Sequence, residues 1–583
     1  MAREIPAHAV ENAEVARIFR QLADLLEIEQ ANPFRVRAYR TAARTVEELP
    51  EPIAAIAQGN AKRLTELPGI GQDLADKICE ICRTGTLAAL RDVQSHAPKG
   101  AVEIMRLPGL GPKRVKALCD ALHVQTLAQL EKACRQGRVH DIKGFGAATE
   151  QKIIHEIAAR GAEEHRMLRS AATQYAESLL RYLRALPCVK RAEVAGSFRR
   201  CRETVADLDV LVEGESGAAV TDQFVHYPEV REILSAGPTK ASVRLECGLQ
   251  VDLRVLPQAS YGAALHYFTG SKAHNIALRR LGQQRGLKIS EYGVFRGNRL
   301  IGGKDESDVF AAVELPWIPP ELREDRGEID AAARGKLPRL VELADIRGDL
   351  QSHTTDSDGR DTLEQMAASA EAMGYEYLAI TDHSPALRMI RGLDAAGFRR
   401  QMRRIDKLNA SRKLTLLKGA EVDIRPDGTL DLDDRDLEPF DIVLVAIHSK
   451  FDLPVADQTR RLLAALRHPA VDVVAHPTGR VIGRRSAMAL DMDQVYRAAA
   501  DHGVMLEIDA QPERLDLNEI AARAAIEHGL CLAISTDAHA VAELRFMRWG
   551  VDQARRAWAQ KLNIANARPL RDLLKLLHQA RKR

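Results

Sequence analysis

The chain has 583 residues, 45% hydrophobic and 28% charged, with a formal net charge of +3. That composition excludes a disordered chain and, at roughly 100–200 residues per domain, predicts about three to five domains. No apolar run reaches the roughly 18 residues that a membrane span needs, and eight cysteines are too few for a disulfide scaffold. The first residues carry no charged-then-apolar leader, so a cytoplasmic chain without a membrane partner is expected.

Charge is spread unevenly. Residues 101–200 hold 18 basic and 10 acidic side chains, and residues 251–300 hold 8 and 2. Two basic blocks on a nearly neutral chain point to polyanion contacts, although solvated helix faces produce the same excess. Aromatics, at 4%, are too sparse for single-strand binding on many stacking platforms.

Residues 1–60 read as helical. Val15, Ile18, Phe19, Leu22, Leu25 and Leu26 recur at helical spacing, Asn32-Pro33 breaks the pattern, and a second helix is expected from Arg35 to Leu49. An internal repeat follows: Leu67-Pro68-Gly69-Ile70-Gly71, Leu107-Pro108-Gly109-Leu110-Gly111 and Ile142-Lys143-Gly144-Phe145-Gly146, each ahead of a helical run. The glycines permit positive φ and close backbone approach, and free N–H groups at the next helix start can hold a phosphate. The flanks are helical and a third glycine is missing, so this is not a dinucleotide fingerprint. The alternative is the helix-hairpin-helix motif, which grips DNA phosphates without reading sequence. Gly69, Gly71, Gly109, Gly111 and Lys113 are the expected contacts of the first two copies; the third reads as a grip or a structural connector. Cys79 and Cys82 form C-x-x-C on a helical segment with no second pair, so no zinc or redox site is expected.

From about residue 190 the pattern turns to strands, at Ala192–Ala195, Asp207–Val212 and Gln250–Val255. Asp207 and Asp209 lie two apart and share one sheet face, and Asp252 sits in another strand. Carboxylates crowded on such a face call for a cation, and their hard oxygens suit Mg²⁺ or Mn²⁺. Two such ions fit an in-line phosphoryl displacement. Upstream, Gly196-Ser197-Phe198-Arg199-Arg200 supplies a turn, a hydroxyl and two guanidiniums suited to a triphosphate. Helical periodicity returns at 272–286, and residues 319–340, charged and opened by Pro319-Pro320, read as a linker. After residue 341, apolar runs alternate with helical stretches, which predicts a parallel sheet, open or closed into a barrel. Its strand ends carry His353, Asp358, His383, Glu421, His448, His476, Asp537 and His539. Any one such histidine is more often structural, but the set converging at one barrel end suits Zn²⁺, Mn²⁺ or Fe²⁺.

G-S-F-R-R followed by D-x-D resembles the nucleotidyltransferase palm. Tyr267-Phe268-Thr269-Gly270-Ser271, Asn275, Arg279 and Glu291-Tyr292-Gly293 resemble the thumb of X-family DNA polymerases, and the likeness covers roughly residues 1–318. The resemblance implies a helical lyase-like domain over 1–85, fingers over 86–165, an α+β palm over 166–256 and a thumb over 257–318. It implies that Asp207 and Asp209 bind both palm metals, and that Asp252 binds the catalytic one. Ser197 and Arg200 would contact the triphosphate. Tyr267, Phe268 and Gly270 would pack against the sugar, Asn275 would reach the base and Arg279 the template. Arg35, Arg37, Tyr39 and Arg40 would hold a 5′-phosphate at a gap. Lys77 matches the position of a Schiff-base lysine, but Asp73, four residues before it, favours the charged amine.

The motifs GDLxxHTxxSDG, ITDHS, GAEVDI, HS, AHP and TDAH resemble the PHP domain of polymerases and histidinol phosphatases, over about 345–545. That likeness implies, within 341–583, a distorted (β/α)7 barrel holding up to three metals for phosphoester hydrolysis, with Glu421 bridging two. One departure stands out: Gln351-Ser352-His353 replaces the family's frequent H-x-H, and an amide oxygen is a weaker ligand than imidazole. The expectation is a monomeric polymerase using dNTPs on gapped or nicked double-stranded DNA, with a 3′-end-processing PHP domain acting as 3′-5′ exonuclease, 3′-phosphatase or abasic-site endonuclease. The rivals are a catalytically silent PHP scaffold, an RNA nucleotidyltransferase, a small-molecule phosphatase with a DNA-binding anchor, and a DNA-binding scaffold without catalysis.

Overall fold

The computed structural model describes residues 12–580, apart from 30, 48, 50–52, 60, 97–100, 106, 108–109, 143, 148, 155–156, 158–165, 215 and 387–391. The chain divides into two compact units, Met1–His165 with Gly483–Ser486, and Arg166–Ile482 with Ala487–Arg583. Among the described residues no helix is long and apolar enough to cross a membrane.

The first unit is helical. Helices Asn12–Ile28, Pro33–Glu47 and Gln72–Thr84 enclose a core of Phe19, Leu22, Val46, Leu64, Ile78 and Ile81. Asn32-Pro33 starts the second helix rather than only ending the first. The Asn32 carboxamide oxygen accepts the Phe34 N–H at 2.9 Å, and proline at the first helical position loses no bond. A second core forms around Val115, Leu118, Leu130 and Phe145.

All three repeats close by the same bond. Ile70 N–H donates to the Leu67 carbonyl at 3.1 Å, Leu110 to Leu107 at 3.0 Å and Phe145 to Ile142 at 2.9 Å. The donor residue's side chain is buried each time and anchors its turn. Gly69 has φ +74°, and a Cβ there would lie 2.5 Å from the Thr41 methyl, so no other residue fits. Gly71 and Gly111 cap helices Gln72–Thr84 and Pro112–Leu122 without a side-chain acceptor. Gly109 and the Lys113 side chain lie outside the described residues.

The second unit opens with a five-stranded mixed sheet in the order Val189–Val194, Asp207–Gly214, Gln250–Leu256, Lys240–Leu245, Val230–Ala236. The last strand is exposed along nearly its whole length and shows no alternation, which is why the sequence pattern does not reveal it. Helices Tyr261–Thr269 and Lys272–Gln284 and a three-stranded sheet over Leu287–Gly302 follow. Residues 319–340, expected as a linker, instead pack into this region. Leu322, Ala332 and Leu340 join its core, and Arg323 is fully buried against Glu306 at 2.6 Å. Glu328 meets His274 at 2.7 Å with neither side chain exposed. Charges that read as solvated are here neutralised inside.

The C-terminal region is a parallel sheet of seven strands in chain order, from Gly348–Asp349 to Leu532–Ser535. Val443 and Val445 face the surrounding helices, while Ile442, Leu444 and Ala446 pack with Leu573 and Leu577 of the C-terminal helix. The sheet curls until its edges meet. Ser352 bridges Ala538, His353 N–H donates to the Ala538 carbonyl at 2.8 Å, and Asp349 accepts the Thr536 N–H at 3.0 Å.

Candidate active sites

The strands Asp207–Gly214 and Gln250–Leu256 pair in parallel with Asp209 opposite Asp252, and Asp207 shares the face. Burial, with Asp207 and Asp252 alongside, pushes the Asp209 carboxyl up to about 7. Asp207 is raised for the same reasons, burial first and Asp252 second. Such a cluster holds either a proton or a cation. Asp252 accepts bonds from the Ser242 hydroxyl and, at 3.2 Å, the Gln250 amide, which orient it. Neither residue was singled out in the sequence, although Gln250 lies two before Asp252 on the same face.

Gly196 sits at φ +63°, and a Cβ there would lie 2.5 Å from Asp209 Oδ2. With Ala195 N–H donating to the Asp209 carbonyl at 2.7 Å, the Gly-Ser turn is pinned beside the carboxylates. The two guanidiniums that follow part company. Arg199 is bound to both Glu306 oxygens at 2.6 and 2.9 Å and to the Thr269 hydroxyl at 2.7 Å, a structural role. Arg200 donates to the Thr269 carbonyl at 2.5 Å and to Glu324 at 3.1 Å.

Tyr267 and Phe268 meet edge to face at 5.1 Å, with Arg254 over the Phe268 ring at 4.3 Å. Asn275 is buried; its amide holds the Tyr267 carbonyl at 2.7 Å and its Oδ1 has no partner. Arg279 donates to the Asn275 carbonyl at 3.3 Å. In the helical unit, Lys77 Nζ pairs with Asp73 four residues before it. Arg40 pairs with Asp24 and Glu27. Tyr39, expected at a 5′-phosphate, is a core residue packed on Phe19 at 5.7 Å, because its ring falls on the apolar face of its helix.

At the C-terminal ends of the barrel strands, three groups of ligand atoms converge, each within 4.8 Å: His353, Asp358, His383 and His539; His383, Glu421 and His448; and His353, Glu421 and Asp537. Glu421 is central. Its Oε2 lies 3.3 Å from both His353 Nε2 and His383 Nδ1, and its Oε1 lies 3.2 Å from His448 Nε2 and 2.9 Å from His476 Nε2. His539 Nε2 is 3.2 Å from Asp358 Oδ2. His353 stacks between His383 and His539 at 4.5 and 4.3 Å.

Burial pulls His383 down to about 4. It acts the same way on His448, but Glu421 and Asp423 outweigh it and push that imidazole up to about 9. His353 Nδ1 and Nε2, His383 Nδ1, His476 Nδ1, Glu421 Oε2 and Gln351 Oε1 are all buried without a hydrogen-bond partner. Unsatisfied buried donors and acceptors of this kind, mixing imidazole and carboxylate, fit divalent cations. His476 and Asp537 have φ of +30° and +49°, strained values that cluster at functional sites. Gln351 is fully buried, and its Nε2 lies 3.3 Å from Asp537 Oδ1.

The sixth barrel strand, Met505–Asp509, adds two carboxylates that sequence reading passed over. Glu507 accepts the His476 N–H at 2.7 Å and so fixes the backbone of that histidine, while Asp509 lies 3.5 Å from Arg514. Burial holds both carboxyls far above the ordinary range. Their two-residue spacing is the signal that revealed Asp207 and Asp209.

The chain matches family profiles described as Helix-hairpin-helix domain over residues 10–87, SAM-like Helix-hairpin-helix tandem over 102–159, DNA polymerase beta thumb over 264–324 and PHP domain over 349–583. It is 37% identical over 565 residues to the DNA polymerase/3′-5′ exonuclease PolX of Bacillus subtilis (strain 168), covering 96% of this chain and 98% of that one. The chain belongs to the PolX family. This PolX-family chain is also 24% identical over 335 residues to DNA polymerase lambda of Rattus norvegicus, covering 51% of this chain and 53% of that one. A probable phosphatase of Acetivibrio thermocellus is 32% identical over 165 residues, covering 28% of this chain and 64% of that one. The thumb match runs into the segment expected as a linker, where Arg323 is buried against Glu306. The PolX fold thus comprises helix-hairpin-helix domains, a polymerase thumb and a (β/α)7 PHP barrel, with divalent-metal dependence in both halves.

Proposed function

We propose that the chain is a cytoplasmic, monomeric enzyme that fills short gaps in double-stranded DNA and trims or unblocks 3′-ends with its barrel. The pairing of Asp209 with Asp252 across parallel strands, with Asp207 on the same face, carries the first activity. Mg²⁺ or Mn²⁺ suits these oxygens; Mn²⁺, Zn²⁺ or Fe²⁺ suits the barrel, with up to three ions for its three ligand groups. When bound, such ions neutralise phosphate charge and activate the attacking oxygen. The chain's own residues do the rest. Asp207, Asp209 and Asp252 supply negative charge that Arg166, Arg200 and Arg254 offset only in part, and Ser242 orients Asp252. Ser197 and Arg200 are assigned to the incoming dNTP, and Tyr267, Phe268 and Gly270 to its sugar. Asn275 is assigned to the base edge and Arg279 to the template.

The hairpin glycines Gly69, Gly71, Gly109 and Gly111, with Lys113, are assigned to backbone phosphates of the DNA flanking the gap. Lys77 is not assigned a lyase role, because Asp73 neutralises it. In the barrel, His353, Asp358, His383, Glu421, His448, His476, Asp537 and His539 hold the cluster. Gln351, whose Oε1 has no partner, contributes an amide beside His353 and Asp537. That arrangement supports a working hydrolase over a silent scaffold.

The test is primer extension and 3′-end degradation on one-nucleotide-gapped DNA with Mn²⁺. Asp207→Ala with Asp209→Ala should abolish extension alone, and His353→Ala with His383→Ala should abolish degradation alone. A wild-type chain that never extends sinks the polymerase reading; one that extends but never degrades sinks the hydrolase.

A further inference from the structure

Arg556 ends the Met547–Arg556 helix of the barrel region, yet its guanidinium is committed to the polymerase half. Nη1 donates to the Arg200 backbone carbonyl at 2.5 Å. Nη2 lies 3.1 Å from Glu324 Oε1 and 3.1 Å from Glu519 Oε1. The same Glu324 oxygen accepts Arg200 Nε at 3.1 Å, and Arg200 Nη1 reaches the Thr269 carbonyl at 2.5 Å. The Arg556 side chain is 1% exposed and that of Glu324 10%. Burial alone would raise the Glu324 carboxyl, but Arg200 and Arg556 outweigh it and hold it ionised.

Other ion pairs join the two halves without reaching Arg200. Arg555 meets Glu321 at 2.7 Å, and Arg480 meets Glu203 at 2.7 Å. Among the described residues, only the Arg556 pair, through Glu324, ends on the guanidinium assigned to the triphosphate. Its bonds use Nε and Nη1 of Arg200, while Nη2 makes no bond to a described residue. A long side chain held in one rotamer loses less freedom when it meets a ligand than a free one.

We propose that Arg556 is a positioning residue of the polymerase: through Glu324 and the Arg200 carbonyl it holds Arg200 for the incoming triphosphate, making the PHP region part of the nucleotide site. The inference rests on the assignment of Arg200 to the dNTP. A charge-assisted pair buried on both sides is costly to break from one side, because its partner stays buried and unpaired. The contact gives the PHP region a second role, independent of its own chemistry.

The experiment measures kcat and KM for dNTP on one-nucleotide-gapped DNA with the full chain. The variants are Arg556→Met, Arg556→Lys, Glu324→Gln, Arg200→Ala and the Arg200→Ala/Arg556→Met double. Arg555→Met, its neighbour on the helix, serves as control. Arg556→Met should raise the dNTP KM roughly tenfold or more, as a misplaced binding group does, with gapped-DNA affinity unchanged. Arg556→Lys should recover part of that loss. Arg555→Met should stay within about twofold of wild type, and Arg556→Met should add nothing once Arg200 is alanine. Additive losses in the double variant, or an unchanged KM in Arg556→Met, overturn the proposal. If thermal melts show Arg556→Met unfolded, Glu324→Gln decides on the same KM criterion. A wild-type chain without extension activity defeats the polymerase assignment instead, a separate result.

Discussion

The palm carboxylates and the barrel cluster are both built for cations, but they manage their own charge in opposite ways. The palm packs three like charges on one face, and the strain appears as a carboxyl pushed up to about 7 at Asp209. The barrel interleaves imidazoles with carboxylates, so that Glu421 touches four histidines. The first site depends on a cation for its charge balance; the second is largely balanced without one. Hard oxygens alone suit hydrated hard cations, whereas imidazole mixed with carboxylate suits transition metals.

Removing one carboxylate from each site gives the largest contrast. Asp209→Ala should cost about 10³-fold in kcat for gap filling and leave 3′-end hydrolysis intact. Glu421→Gln should do the reverse, and elemental analysis should show metal lost from the barrel. If either variant loses both activities, the two centres are not separate.

A structural pair comes next. Glu306 is clamped by Arg199 and Arg323, and although burial would raise its carboxyl, these guanidiniums hold it well below the usual range. Its folded-state pKa is depressed, so its contribution is fully present above the unfolded value near 4.5 and is lost as pH falls below it. Glu306→Gln should destabilise the polymerase half by about 3–5 kcal/mol at neutral pH, and the difference from wild type should shrink in melts run under acid.

Gln351→His adds an imidazole to the His353, Glu421 and Asp537 group. It should tighten barrel metal by roughly tenfold, read by chelator competition, and an unchanged affinity would show that position 351 does not face the ion. The smallest effect is expected at Asp73. Asp73→Ala frees Lys77 and should bring a slight, borohydride-trappable reaction with a 5′-deoxyribose phosphate, against none in wild type.

Local pattern made much of this legible. The D-x-D pair, the Gly-Ser turn and the ligands that directly follow buried strands are short-range features, and they landed where the periodicity placed them. Glu507 and Asp509 obey the same two-residue rule but lie outside the motifs that carry the PHP resemblance, so they were passed over. Arg323 and Glu328 read as linker charges because nothing local says that their partners, Glu306 and His274, wait inside the thumb. Tyr39 was drawn toward function by its basic neighbours when its helix face had already placed it in the core. The Arg200–Glu324–Arg556 chain has no local signature at all, since its members come from three separate elements of the fold.

The seam between the first and last barrel strands also sets an order of events on the ribosome. Asp349 waits for Thr536, and His353 for Ala538, nearly the whole barrel later. At about 5–20 residues per second that is a delay of roughly ten to forty seconds, with the palm already synthesised and the nascent sheet showing an open edge. A chain cut short in this interval carries its polymerase carboxylates complete but advertises an unpaired strand. Such an edge is a template for pairing with other chains, so closing the seam is also what protects the finished barrel from aggregation.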